Sequence, residues 1–104
     1  MELNEYQDAA LKTAVYPKEY KIIYPALKLA GEAGEVAEKV GKSLRGDKAL
    51  DRPDLAKELG DVLWYIAAGA ADIGYTLEQI ANMNLNKLGD RAVRGVLKGD
   101  GDNR

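Results

Sequence analysis

The chain has 104 residues, a formal net charge of −2 and a pI near 5.2, which suit one small domain and exclude a general nucleic-acid binder, since that role needs surplus basic surface. It contains no cysteine and no histidine, so disulfides, thiolate metal sites and the commonest general base are excluded. Any metal must then be held by oxygen, which favours magnesium, manganese or calcium. The start of the chain lacks a basic-then-apolar leader, and no apolar run reaches membrane-spanning length. A cytoplasmic protein with no membrane partner is expected.

Residues Leu3 to Val15 read as the first helix, with Asn4 or its neighbour as cap and Leu3, Tyr6, Ala10 and Ala14 on one stripe. Pro17 ends that segment, and Pro25 suits the first turn of the second helix. There Leu27, Ala30, Ala33, Ala37 and Val40 form a face of mostly small residues. Gly31 and Gly34 each cost about 1 kcal/mol inside a helix, so close approach of another helix or a ligand is expected beside them. The stretch Leu44-Arg45-Gly46-Asp47, then Asp51-Arg52-Pro53, reads as a break, and Pro53 opens the third helix.

In that helix Leu55, Leu59, Val62, Ile66, Ala70 and Ile73 repeat as a bundle seam. Gly74 supplies the stop, and Thr76 with Gln79 forms a capping box for the fourth helix. Leu77, Ile80, Ala81, Leu85 and Leu88 are apolar there, and Asn84, Lys87 and Arg91 make a polar stripe beside them. Residues 98–104 have no core-forming side chain and are expected to be mobile unless a ligand or neighbour orders them. No strand pattern or internal repeat stands out. The reading is one all-α domain spanning 1–104, about four helices, with a small core completed by homo-oligomerisation.

Two carboxylate pairs bracket the break. Glu32 with Glu35 and Glu58 with Asp61 are each three residues apart, which puts both members of a pair on one helical face. In an antiparallel hairpin, opposed positions add to a constant; Glu35 with Glu58 and Glu32 with Asp61 both give 93. Four acids then face one another and repel unless a cation sits among them. Spacing leaves two readings open, a metal site or solvated faces. Glu38 extends the first series as an outer ligand or base, or is an exposed acid beside Lys39 and Lys42. Trp64 and Tyr65 stack on a base or fill core, and Lys87 and Arg91 bind phosphate or solvate the helix end. Gly41-Lys42-Ser43 is no phosphate loop, because Val36 stands where its first glycine belongs. The acidic tail is no calcium loop, because the chain ends before a closing glutamate.

Glu32-x-x-Glu35, a spacer of 22 residues and Glu58-x-x-Asp61 resemble the signature of the all-α nucleoside triphosphate pyrophosphohydrolases, in particular the MazG-like group. Tyr6-Gln7, Leu29 to Val36, Glu58 to Tyr65, Asn84-x-x-Lys87-Leu88-x-x-Arg91 and the closing Arg94 to Arg104 carry the resemblance along nearly the whole chain. It implies hydrolysis between the α and β phosphates of a nucleoside triphosphate, yielding monophosphate and pyrophosphate. Glu32, Glu35, Glu58 and Asp61 would hold Mg2+, with Mn2+ as an alternative, and Glu35 or Glu38 would position the water. Asn84, Lys87 and Arg91 would contact phosphates, and Trp64 or Tyr65 would line the base or sugar pocket. Homodimers or homotetramers are implied as well. The competing reading is a non-catalytic helical oligomerisation or nucleotide-sensing module that keeps the acids as a metal site.

Overall fold

The computed structural model describes residues 1–103 and contains four α-helices: α1 (Leu3–Leu11), α2 (Ile23–Leu44), α3 (Arg52–Asp72) and α4 (Leu77–Arg94). A single 3-10 turn, Lys18–Tyr20, interrupts the connection from α1 to α2. No strand occurs among the described residues, so the all-α expectation holds. Arg104, the last residue of the closing motif, lies outside the described residues.

The helix ends follow local chemistry. The Asp51 side chain accepts from Asp54 N at 3.1 Å and starts α3, with Pro53 in its first turn. Gly74, at φ +85°, lets Tyr75 N reach back to Ala70 O at 2.8 Å and closes that helix. Thr76 and Gln79 form the expected box at the start of α4, at 2.9 and 3.1 Å.

The first helix is shorter than its stripe predicts, ending at Leu11 and not at Val15. The Thr13 hydroxyl donates to Ala10 O at 2.7 Å and competes with the helical ladder, and Tyr16 is pushed from the helical region by Pro17. Glu2 caps α1, its N–H bonded to Glu5 at 3.1 Å. Asn4 is used elsewhere: its Oδ1 accepts from Glu78 N at 3.0 Å and helps cap α4.

Gln7 ties the far ends together. Its Nε2 donates to Ala67 O and Tyr75 O, and its Oε1 accepts from Leu77 N, each at 3.1 Å. The buried apolar residues are Ala10, Ala67, Ala68, Ala70 and Leu77, and Tyr6, Ile66 and Ile80 pack against the cluster of Ala67, Ala70 and Leu77. Small side chains let the helices approach: the Pro25 ring lies 3.7 Å from where a Cβ on Gly69 would stand. The α3 seam is only partly covered. Leu59 and, just past the helix end, Ile73 are each 52% exposed, and Ile73 borders an open apolar groove with Ile22, Pro25 and Ile80.

The closest-packed pair is the α2–α3 hairpin, which carries the candidate site. Its outer face is bare. Leu27 is 70% exposed, and a Cβ at Gly31 or Gly34 would meet nothing within 4 Å, so the close approach expected there is not made within the chain. The surface totals 7,600 Å2, against about 5,700 Å2 for a compact monomer of this mass. The radius of gyration, 16.3 Å, likewise exceeds the ~13 Å of a compact chain this long. Among the described residues no helix is long and apolar enough to cross a membrane.

Candidate active site

Folding back through residues 45–51 sets α2 and α3 in the register that the acid spacing predicts. Carboxylate oxygens of Glu32, Glu58 and Asp61 come within 4.8 Å of one another. Glu32 Oε2 and Glu58 Oε2 are buried and have no hydrogen-bond partner. A buried acceptor left unsatisfied costs about 1–3 kcal/mol, more when charged, so two in one cluster mark a place for a cation. All the ligands are oxygens, the donor set of a hard divalent ion.

Glu35, the fourth acid expected there, is not among the three whose oxygens converge and lies beside them against Glu58. Its carboxyl is held above the usual carboxylate range, first by its hydrogen-bond contact with Glu58 and then by the charges of Glu32 and Glu58. Two ionised carboxylates cannot share a hydrogen bond, so the contact favours the protonated form. On the opposite side Lys39 pairs with Asp54 and lies 3.3 Å from Glu58 Oε1. Lys39 and Asp54 also add to 93, so the same register test could have found this rung. Lys39 holds the Asp54 carboxyl below its usual range. Glu38 points away: its side chain is 63% exposed and pairs with Lys42 at 3.2 Å. The structure therefore brings Glu35, not Glu38, to the acid cluster.

A cavity of about 720 Å3 opens beside these acids and shares Glu32 and Asp61 with them. Its wall is aromatic, made by Tyr16, Tyr20, Tyr24, Trp64 and Tyr65 with Thr13 between. Tyr16 stacks on Tyr24 at 5.1 Å, and Trp64 meets Tyr65 edge-on at 4.9 Å. Trp64 Nε1 donates to Thr13 Oγ1 at 2.9 Å. Burial pushes the Tyr65 hydroxyl up to about 12, helped by its bond with Tyr24 and the nearby charges of Glu32 and Asp61. Sequence reading named Trp64 and Tyr65 and missed the three tyrosines. The signal was present: Tyr16, Tyr20 and Tyr24 recur every four residues.

The cation stripe is finished differently. Lys87 Nζ lies 2.9 Å from Asp102 Oδ1, and Arg91 Nη2 donates to Asp102 O at 2.7 Å and to Gly101 O and Asp102 Oδ1 at 3.3 Å. The tail thereby wraps the Arg91 guanidinium, leaving that residue 4% exposed. Hydrogen bonds from Lys87 and then Arg91 hold the Asp102 carboxyl below its usual range. Asn84 and Lys87 line a shallow depression with Ile80 and Met83. Among the described residues no ion pair joins Lys87 or Arg91 to the four acids.

Fold and site together define an all-α helical-hairpin protein with a carboxylate cluster at the mouth of an aromatic cavity. The chain belongs to the MazG family: the model of the MazG nucleotide pyrophosphohydrolase domain matches residues 25–95. That span takes in the acid hairpin and α4 but not the tyrosines of the cavity wall that precede Pro25. The Gene 37 protein of Mycobacterium phage L5 is 43% identical to this chain over 114 aligned residues, covering 100% of both. No solved structure matches. The family's general activity is nucleotide pyrophosphate hydrolysis, generally with a divalent metal, and the carboxylate cluster fits that requirement.

Proposed function

We propose that this protein hydrolyses a nucleoside triphosphate between its α and β phosphates, giving the monophosphate and pyrophosphate, with Mg2+ as cofactor and Mn2+ as an alternative. The observation that carries this reading is the pair of buried, unpartnered oxygens on Glu32 and Glu58, set at the mouth of an aromatic cavity. Glu32, Glu58 and Asp61 would hold the ion, with Glu35 beside them. Bound there, it supplies Lewis-acid polarisation of phosphoryl oxygen and neutralises charge on the departing pyrophosphate.

The rest falls to the chain's own side chains. A water oxygen attacks phosphorus, the bond to the pyrophosphate oxygen breaks, and the water's proton passes to a carboxylate oxygen. Glu35 suits that task better than Glu38, because it lies against the cluster while Glu38 faces Lys42. Trp64 and Tyr65 stack against the nucleoside, while Asn84 binds phosphate oxygens together with Lys87 and Arg91 once Asp102 gives those two cations up. The soluble nucleotide pool of the cytoplasm is the expected source of substrate, with no membrane or nucleic-acid partner.

A second copy of the chain belongs in this reading. The surface excess, exposed Leu27 and the open space at Gly31 and Gly34 favour a homodimer or homotetramer packed on the bare face of α2. Pyrophosphate release across natural and modified ribo- and deoxyribonucleoside triphosphates, with Mg2+ and with chelator, tests the activity. Chelator-sensitive release with monophosphate as co-product is expected. Nucleotide binding without turnover would instead identify a sensing module.

A further inference from the structure

Two of the five aromatic residues of the wall, Tyr16 and Tyr20, ride on residues 12–22, a connection with little regular structure. One carboxylate holds it. Asp72, the last residue of α3, accepts through Oδ2 from the Tyr16 hydroxyl at 2.8 Å and from Ile22 N at 2.9 Å. These donors stand at the two ends of residues 16–22, so Asp72 fastens both ends to one point.

The backbone at the second end is strained. Ile22 sits at φ +69°, and among the described residues it is the non-glycine residue with positive φ. A β-branched side chain avoids that region, and such a conformation persists where surrounding bonds over-determine it. The Asp72 bond to Ile22 N is one such restraint, placed where the chain turns into α2. At the first end, the bond fixes the Tyr16 ring, which stacks on Tyr24 and stands edge-on to Trp64 at 6.5 Å. Burial and then the Asp72 bond push the Tyr16 hydroxyl up to about 12, so it remains a donor throughout the neutral range.

Three of the wall's polar side chains are already bonded within the chain. Thr13 donates to Ala10 O, Trp64 to Thr13 and Tyr16 to Asp72. Apart from Glu32 and Asp61 at the mouth, what remains for a ligand is mostly ring faces, whose spacing depends on where residues 12–22 are held.

We infer that Asp72 is a positioning residue for substrate recognition: it anchors Tyr16 and Ile22, and so sets the gap in which a heteroaromatic ring stacks against Tyr16, Tyr24 and Trp64. This rests on the cavity being the nucleotide's ring site and adds the residue that shapes it. Asp72 reaches this wall from the end of α3 opposite Asp54, with none of its hydrogen bonds going to the acid cluster.

Trp64 is the only tryptophan, so its fluorescence reports on the wall directly. The test titrates purine and pyrimidine nucleoside monophosphates into the full chain in chelator, then measures thermal stabilisation by Mg2+ alone. Saturable quenching is expected in the wild type. Asp72→Asn should weaken it about tenfold, and Tyr16→Phe, which keeps the ring and loses the bond, about threefold. Mg2+ stabilisation should be unchanged in both, and KM for the triphosphate should rise more than kcat falls. Quenching of equal affinity in wild type and both variants overturns the role of Asp72 alone. Absence of quenching in the wild type overturns the ring-site reading and this inference with it. Loss of Mg2+ stabilisation together with quenching in Asp72→Asn, with Tyr16→Phe unaffected, reduces Asp72 to a structural residue and overturns the inference too.

Discussion

The acid cluster of the α2–α3 hairpin and the cation stripe of α4 carry opposite charges and are completed in different ways. Lys87 and Arg91 find their counter-charge inside the chain, in Asp102, and Arg91 also gives its Nη2 to main-chain oxygens of the tail, although its Nε is buried without a partner. The acids have Lys39 on one edge only, and two buried oxygens have no donor at all. A group already paired need not recruit anything from solution. An unpaired buried carboxylate either takes up a proton or takes a cation. The comparison marks the hairpin as the end of the molecule that is unfinished without a ligand, and α4 as the end that a ligand must open.

The largest test of that contrast removes a donor from the unfinished end. Glu58→Gln should reduce pyrophosphate release by more than about a hundredfold, since even groups one layer behind metal ligands cost 10–100-fold. Glu38→Gln, altering an acid that faces Lys42, should leave most of the rate in the same assay.

Gln7→Leu separates fold from site. It strands Leu77 N–H and two carbonyls in the buried corner and should destabilise the chain by roughly 3 kcal/mol in urea unfolding. The additional stability gained on adding Mg2+ should stay as in the wild type.

At the finished end the effects are smaller. Asp102→Asn weakens the hold on Lys87 and Arg91, and pyrophosphate binding by calorimetry should tighten about threefold if those cations meet phosphate. An unchanged affinity would mean that the tail does not compete there. The pH effect is smallest. Asp102 has its pKa lowered by folding, so its contribution is present above the ordinary value of 3.8 and is lost as pH falls through the lowered value. Side-chain NMR of Asp102 and Arg91 should show the contact opening only below about pH 4.

The part of this arrangement that could be read from sequence is the part governed by helical periodicity. Acid spacing around the Asp51-Arg52-Pro53 break predicted the hairpin register, and Thr76 with Gln79 announced the start of α4. What periodicity cannot see is a side chain leaving its own helix. Asn4 looks like a cap for the helix it lies in, yet it serves Glu78, 74 positions away. Gln7 and Asp72 likewise act across 60 or more and 50 or more positions, and their partners are backbone groups or one tyrosine hydroxyl that no pattern distinguishes. Thr13 shortens α1 by a local hydroxyl bond that competes with the apolar stripe. Asp102 reads from sequence as part of a coreless tail and of the closing motif, without its partners, because charge pairing onto Lys87 and Arg91 requires the chain to turn back after Gly95.

The most direct measurement is thermal and urea unfolding of wild type and Glu58→Gln, each in chelator and in Mg2+ at about a hundredfold excess over Kd. If the acid cluster is completed by the ion, the wild type should gain about 2.7 kcal/mol and Glu58→Gln almost none. No gain in the wild type, or an equal gain in both proteins, would contradict a cation site between α2 and α3.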